Sequence, residues 1–157
     1  MKTLILYYSY GGNTKKIAEQ IQASIEADIA EIKTVEPYVG SYDDVVDLGK
    51  IQIDEGYMPE IKPLEIDFDE YDKILLGTPV WWYTYAPAIK TCLKQYDFTN
   101  KTVYPFITNG GWIGHTEKDI INNCKNAFVM KAINIKFDGA SLAISKQEIN
   151  NWIHSIL

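Results

Sequence analysis

Leu4-Ile5-Leu6-Tyr7-Tyr8-Ser9-Tyr10-Gly11-Gly12-Asn13-Thr14 is the stretch on which the fold turns. The apolar run Leu4 to Tyr7 reads as a strand buried near the N-terminus. A loop of hydroxyl and glycine residues follows, and then an amphipathic helix with Ile17, Ala18, Ile21 and Ile25 on one face. Strand, small polar loop, helix is a geometry for holding a phosphate. The helix N-terminus offers free N–H groups and a partial positive charge, glycines let the backbone curl around an anion, and hydroxyls add donors. The loop lacks the lysine of a P-loop and the G-x-G-x-x-G spacing of dinucleotide sites. The plainer alternative is a tight strand-to-helix turn with Asn13 or Thr14 as N-cap.

Outward from this unit, strands and helices keep alternating. Ala30 to Val35 alternates polar and apolar, as a half-covered edge strand does. Ser41 can cap a short helix carrying Val45, Val46 and Leu48, after which Gly56, Pro59 and Pro63 break the chain. Lys73 to Thr78 suits the centre of a sheet. A helix follows from about Ala86, with Pro87 in its first turn and Ile89, Cys92 and Leu93 facing inward. Thr102 to Ile107 is the next strand, with a local irregularity expected at Pro105. The helix after Thr116 is expected to bury Ile120, Ile121 and Cys124, and Ala132 to Phe137 reads as the far edge strand. Ser145-Lys146-Gln147-Glu148 is a capping box for a last helix packing Ile149, Trp152, Ile153 and Ile156. Five strands alternating with helices predict one α/β domain over residues 1–157: a parallel, doubly wound sheet in three layers. Alternating patterns at strands two and five, with apolar runs at one and three, give the order 2-1-3-4-5.

Composition narrows the function. The 157 residues are 46% hydrophobic and 13% aromatic, values of a globular chain. The net charge of -6 argues against nucleic acid and anionic membrane surfaces as partners. All 15 basic residues are lysines, so a bound phosphate would be held mainly by backbone N–H groups and hydroxyls, without bidentate arginine clamps. Cys92 and Cys124 suggest small core residues, and His115 and His154 have no partners at metal-ligand spacing. With no leader-like or membrane-spanning stretch, the expected location is cytoplasmic.

Ligands of such sheets sit beyond the carboxyl ends of the strands, where the strand order reverses. That rule selects three loops: Ser9 to Thr14; Thr78-Pro79-Val80-Trp81-Trp82-Tyr83-Thr84-Tyr85; and Thr108-Asn109-Gly110-Gly111-Trp112-Ile113-Gly114-His115. Aromatic rings beside a phosphate loop imply a planar ligand with a phosphate tail. A purely structural role for Trp81 and Trp82 is the alternative, although neighbours at a strand end point opposite ways and one can pack while the other stays available.

These residues carry a resemblance to flavodoxin-like FMN proteins along essentially the whole chain. Ser9-Tyr10-Gly11-Gly12-Asn13-Thr14 resembles the family's phosphate loop. Gly77-Thr78-Pro79-Val80-Trp81-Trp82 with Ala86-Pro87-Ala88-Ile89-Lys90, and Thr108-Asn109-Gly110-Gly111, resemble its two flavin-ring loops. The resemblance implies a flavodoxin-like fold and FMN as cofactor. The phosphate would lie on Ser9, Tyr10, Gly11, Gly12, Asn13 and Thr14. The isoalloxazine would lie between Thr78, Pro79, Val80, Trp81, Trp82 and Tyr83 on one side and Thr108, Asn109, Gly110, Gly111, Trp112 and Gly114 on the other. The second loop departs from small flavodoxins. They hold there a glycine whose peptide flips on reduction, and this chain has Val80-Trp81, where a turn to positive φ is disfavoured.

Other readings of the topology fail on residue identity. A phosphoacceptor module needs an Asp where Thr78 stands, a small phosphotyrosine phosphatase needs Cys and Arg in the first loop, and a GTPase needs its P-loop lysine. Two readings remain. One is an FMN-binding electron-transfer protein docking on a redox partner protein, favoured by the acidic balance. The other is an FMN-dependent NAD(P)H or quinone oxidoreductase, favoured by the missing glycine and by the likeness of Pro-Val-Trp-Trp-Tyr to quinone reductases. In both the flavin carries the chemistry, so no catalytic side chain is expected.

Overall fold

The computed structural model describes residues 2–157. In chain order the elements are β1 (Lys2–Tyr7), α1 (Asn13–Gln22), β2 (Asp28–Glu31), α2 (Tyr42–Glu55), a 3-10 turn (Phe68–Glu70), β3 (Tyr71–Trp81), β4 (Thr84–Tyr85), α3 (Pro87–Gln95), β5 (Thr102–Asn109), α4 (Thr116–Asn123), β6 (Phe128–Val129), β7 (Ile133–Asp138), β8 (Ser141–Leu142) and α5 (Lys146–Ile156). The long strands lie in the order β2-β1-β3-β5-β7 and pair in parallel, which is the expected 2-1-3-4-5. Three two-residue strands decorate this core. β4 folds back on β3, β6 lies beside β5, and β8 extends the far edge as an antiparallel partner of β7.

The three layers follow from side-chain alternation on the central strands. Leu4 and Leu6 of β1, with Ile74 and Leu76 of β3, face a cluster completed by Ala88, Ile89 and Cys92 of α3 and Ile120 of α4. Ile5 and Tyr7, with Leu75, face the opposite cluster, made with Ile17, Ala18 and Ile21 of α1 and Ile149, Ile153 and Ile156 of α5. A run that is apolar at every position is therefore apolar on both faces, each covered by helices.

Pro105 sits where a central strand can tolerate it. The Met130 amide donates to the Val103 carbonyl, so odd-numbered residues of β5 point their backbone groups at the β6–β7 side. On that side β6 ends its pairing at Val103 and β7 begins at Phe106. The missing N–H of Pro105 faces this gap, and the ladder to β3 continues unbroken through Leu76↔Pro105.

Several sequence expectations need correction. α1 is capped by Gly12, not by Asn13 or Thr14, and it ends before Ile25. The second strand is Asp28–Glu31, earlier than Ala30 to Val35. Its continuation buries Ile32, and Thr34 makes an isolated bridge to Ile61. The helix capped by Ser41 is not short but runs 14 residues to a left-handed Gly56. Leu48 and Ile121 are exposed, not packed. Ser145 does accept from the Glu148 amide at 3.2 Å and opens α5, but the reciprocal bond from the Ser145 amide to the Glu148 side chain that would complete the expected capping box is not made.

Candidate functional site

The first loop closes the carboxyl end of β1. Gly11 and Gly12 have φ of 82° and 97°, and a Cβ built on either meets nothing within 4 Å. The N-cap Gly12 has no side chain to cap α1, so the amides of Asn13 and Thr14 keep their donors for a ligand. Ser9 Oγ accepts from the Lys15 amide at 3.2 Å, which leaves its own O–H free to donate. Lys15 and Lys16 stand exposed in the first turn. Glycine turn, free first amides and spare hydroxyl are groups that could hold a phosphate without arginine.

Two of the expected phosphate ligands also brace the loop through their side chains. Thr14 is buried, and its hydroxyl pairs with that of Thr108 at 2.7 Å, tying the first loop to the third. Asn13 donates its side-chain amide to the Gly139 carbonyl at 2.9 Å, tying the same loop to the β7–β8 hairpin. In the third loop Asn109 donates to Asn134 Oδ1 at 2.5 Å and accepts from the Gly111 amide at 3.0 Å. Gly110 and Gly111 again leave open space on their Cβ side.

The second loop is a hairpin. Val80 pairs with Tyr85 and Trp81 with Thr84, leaving Trp82-Tyr83 as a two-residue turn. Both turn residues are left-handed, at φ 48° and 71°. Such a turn normally takes Asn-Gly, because a side chain in this region costs about 1–2 kcal/mol per residue. The positive φ expected to be excluded from bulky residues at Val80-Trp81 thus appears two positions later, on the bulkier pair Trp82-Tyr83. Thr78 closes the base of the hairpin. It is fully buried, donates to the Pro79 carbonyl at 2.8 Å and accepts from the Ala86 amide at 3.3 Å.

The two tryptophans of this loop part company as their alternation requires. Trp81 sits among the rings of Tyr8, Tyr10 and Tyr38, with centroids 6.1, 5.9 and 4.9 Å away, all edge-on. Trp82 turns to α2, donating its indole N–H to the Val46 carbonyl at 2.8 Å beneath the Lys50 ammonium. Tyr83 meets Trp112 of the third loop at 5.2 Å, and these two rings are 50% and 67% exposed.

Together the loops enclose a cleft of about 360 Å³. Tyr10, Val80, Trp81, Trp82, Tyr83, Asn109, Gly110 and Trp112 line it, and the glycine cradle of Gly11-Gly12 lies next to Tyr10. Ser9, Asn13, Thr14, Thr78, Pro79, Thr108, Gly111 and Gly114 surround or brace it rather than line it. A fourth wall was not expected from the sequence: Tyr42, Val45, Val46 and Gly49 of α2. Gly49 was the available signal. A Cβ there would lie 3.1 Å from the Trp81 ring, so this mid-helix glycine marks a close approach.

The surroundings carry no other chemistry of this kind. Burial pushes the Cys92 and Cys124 thiols up to about 12, which keeps them protonated and inert. Burial and then the Asp119 charge raise Tyr85 to about 12. Among the described residues no cluster of His, Cys, Asp and Glu is placed to hold a metal, and no helix is long and apolar enough to cross a membrane.

Comparison with known proteins agrees with this architecture. A flavoprotein from Lactobacillus acidophilus, solved in complex with FMN, is 31% identical, with 96% of this chain and 97% of that chain covered and a TM-score of 0.78. A flavoprotein from Bacteroides uniformis is 25% identical over 98% of this chain and 97% of that one, with a TM-score of 0.84. A flavodoxin of Haemophilus influenzae is 28% identical over 103 residues, which span 63% of this chain and less than half, 45%, of that protein. The flavodoxin family model matches residues 2–156, and the chain belongs to the flavodoxin family.

Proposed function

We propose that this protein binds FMN in the cleft and serves as an electron-transfer flavodoxin. The observation that carries the reading is convergence. The three loops at the reversal of strand order each line one aromatic-walled cleft, the first through Tyr10, which is followed directly by the glycines and free amides of its turn. The cradle of Gly11-Gly12, the free amides of α1 and the Ser9 hydroxyl would hold the phosphate. Trp81, Trp82, Tyr83, Tyr10 and Trp112 would flank the isoalloxazine, which supplies the redox chemistry. The likeness to the FMN-bound Lactobacillus protein supports the choice of cofactor. Asp43, Asp44 and Asp47 stand exposed on the helix that forms the outer wall, a charge that suits a basic redox partner protein.

One observation favours a second reading, an NAD(P)H or quinone oxidoreductase. The β3–β4 pairing holds Val80 and Trp81 in extended geometry, so the backbone rearrangement that tunes one-electron carriers would have to break strand hydrogen bonds. Reconstitution separates the readings. FMN should bind with strong quenching of tryptophan fluorescence, while FAD should bind much more weakly. For a carrier, the loaded protein is reduced by dithionite but not by NADH or NADPH, and it passes electrons to a basic redox protein. Rapid bleaching by a nicotinamide would establish the enzyme instead, and no flavin absorbance after reconstitution would end both readings.

A further inference from the structure

The strained turn Trp82-Tyr83 is gripped from below by residues with no place in the cleft. Thr84, which follows the turn, donates its hydroxyl to Asp119 Oδ2 at 2.5 Å. His115 Nδ1 is paired with the same oxygen, and the His115 amide donates to the Tyr83 carbonyl at 2.8 Å. One carboxylate at the start of α4 thus ties together the residue after the turn and the residue that holds the turn's own carbonyl. The preceding Gly114, at φ +57°, lets the chain pass 2.6 Å from Tyr83 Cα, measured from where its Cβ would be, and no side chain fits there.

The ordinary explanation of Asp119 is an acid in the first turns of α4, where the helix dipole favours it. Glu117 in that turn is engaged too, accepting from the Ala132 amide at 2.6 Å beside β7. The dipole accounts for the charge of Asp119 but not for its reach. Its oxygen bonds across to β4, a strand of only two residues. A two-residue ladder is a weak restraint on a turn whose two side chains both favour leaving the left-handed region.

We propose that Asp119, with Thr84 and His115, is a latch that holds the Trp82-Tyr83 turn in register with the cofactor ring, so that these three act as positioning residues for a cofactor they do not touch. The proposal rests on the FMN reading of the cleft. Its consequence is specific. The latch governs the ring end and leaves the phosphate cradle alone, so its loss weakens riboflavin, which has no phosphate, by the same factor as FMN.

The test compares Thr84→Val, Thr84→Ser and Asp119→Ala with the parent in two assays. In the first, the cofactor-free proteins meet chymotrypsin, and cleavage after Trp82 and Tyr83 is followed by mass spectrometry. In the second, FMN and riboflavin affinities and the flavin midpoint potential are measured. Thr84→Val and Asp119→Ala should be cut faster at the turn. They should lose about tenfold in affinity for both flavins, the scale of one hydrogen bond to a charged group, and their potential should shift. Thr84→Ser, which keeps the hydroxyl, should match the parent in every measure. If Asp119→Ala does not fold, the valine–serine pair decides alone. Unchanged cleavage in Thr84→Val overturns the latch, and so does faster cleavage with unaltered flavin affinity and potential. A parent that binds neither flavin overturns the FMN reading instead, and the chymotrypsin assay still judges whether the latch holds the turn.

Discussion

At the glycine end of the cleft the backbone turns left-handed at Gly11 and Gly12; at the aromatic end it does so at Trp82 and Tyr83. The conformations are similar and the reasons are opposite. At the first site the absence of side chains is what matters, because the open space on the Cβ side is where an anion can reach the amides. At the second site the side chains are what matters. The chain accepts about 1–2 kcal/mol of strain at each residue to place two large rings beside the cleft. Strain tolerated at a surface turn, where Asn-Gly would relieve it, points to ring contact as the property being maintained. On the FMN reading, the site pairs a relaxed anion cradle with a strained aromatic clamp.

The largest effect that separates the two ends is expected in alkali. Tyr8, Tyr38 and Tyr85 lie under or beside the aromatic end. Burial raises all three, Tyr38 and Tyr85 to about 12 and Tyr8 above the ordinary tyrosine range. Below pH 10 these phenols are protonated whether the chain is folded or not, and their contribution is fully present. Between about pH 10, where an unfolded tyrosine ionises, and 12, the unfolded chain binds fewer protons than the folded one, so stability falls as pH rises. Unfolding followed by circular dichroism should therefore begin above about pH 10, with tyrosinate absorbance at 295 nm appearing together with the loss of structure. Phenols that titrate freely at pH 10 in an intact fold would show that the aromatic end is open to water.

Next in size is a break confined to the glycine end. Gly12→Val should fill the cradle and weaken FMN by about 3 kcal/mol, the upper range for hydrogen bonds to a charged group. Riboflavin affinity should change little, since it lacks the phosphate. Isothermal titration with the two ligands reads this directly. An equal loss for both would mean that the substitution had disturbed the ring end as well.

A third expectation concerns the hairpin that carries the clamp. Because Val80 and Trp81 are tied to Tyr85 and Thr84, the backbone cannot readily present a carbonyl to a reduced ring. A penalty of about 1.4 kcal/mol is tenfold in an equilibrium constant. Dithionite titration of the FMN-loaded protein should accordingly show little of the long-wavelength absorbance of half-reduced flavin. Trp81→Gly should show more of it, and strong long-wavelength absorbance in the parent would mean that the hairpin opens.

The sheet order, the three loops and most of the buried helical residues were legible in the sequence because they follow from local periodicity. Leu4 to Tyr7 is apolar at every step, and only a doubly covered strand reads that way. The length of α2 was hidden. Its Val45-Val46 pair and Gly49 depress helix propensity, and the reason for Gly49 is a tertiary contact with Trp81. The bracing role of the Thr14 side chain was hidden, because its partner Thr108 is 94 residues away. The left-handed turn was illegible for the clearest reason: turn rules assign it to Asn-Gly, and Trp82-Tyr83 breaks them. Local inconsistency of this kind is where a functional demand overrides local preference.

The smallest expected effect tests that last statement. Tyr83→Gly keeps the hairpin, keeps the Trp82 indole bond to Val46, and removes one left-handed side chain from the turn. Relief of the strain is offset in part by the greater entropy of glycine in the unfolded chain, so a net gain of about 1 kcal/mol is expected in the cofactor-free protein. For a domain of this size that is a rise of about 2–4 °C in Tm. The same substitution deletes the ring that meets Trp112 at 5.2 Å, so FMN affinity should fall while the apoprotein becomes more stable. Opposite signs in the two measurements would identify the turn as strained on behalf of the ligand. A fall in both would mean that Tyr83 supports the fold itself, and that the contrast between the two ends of the cleft is one of packing rather than of function.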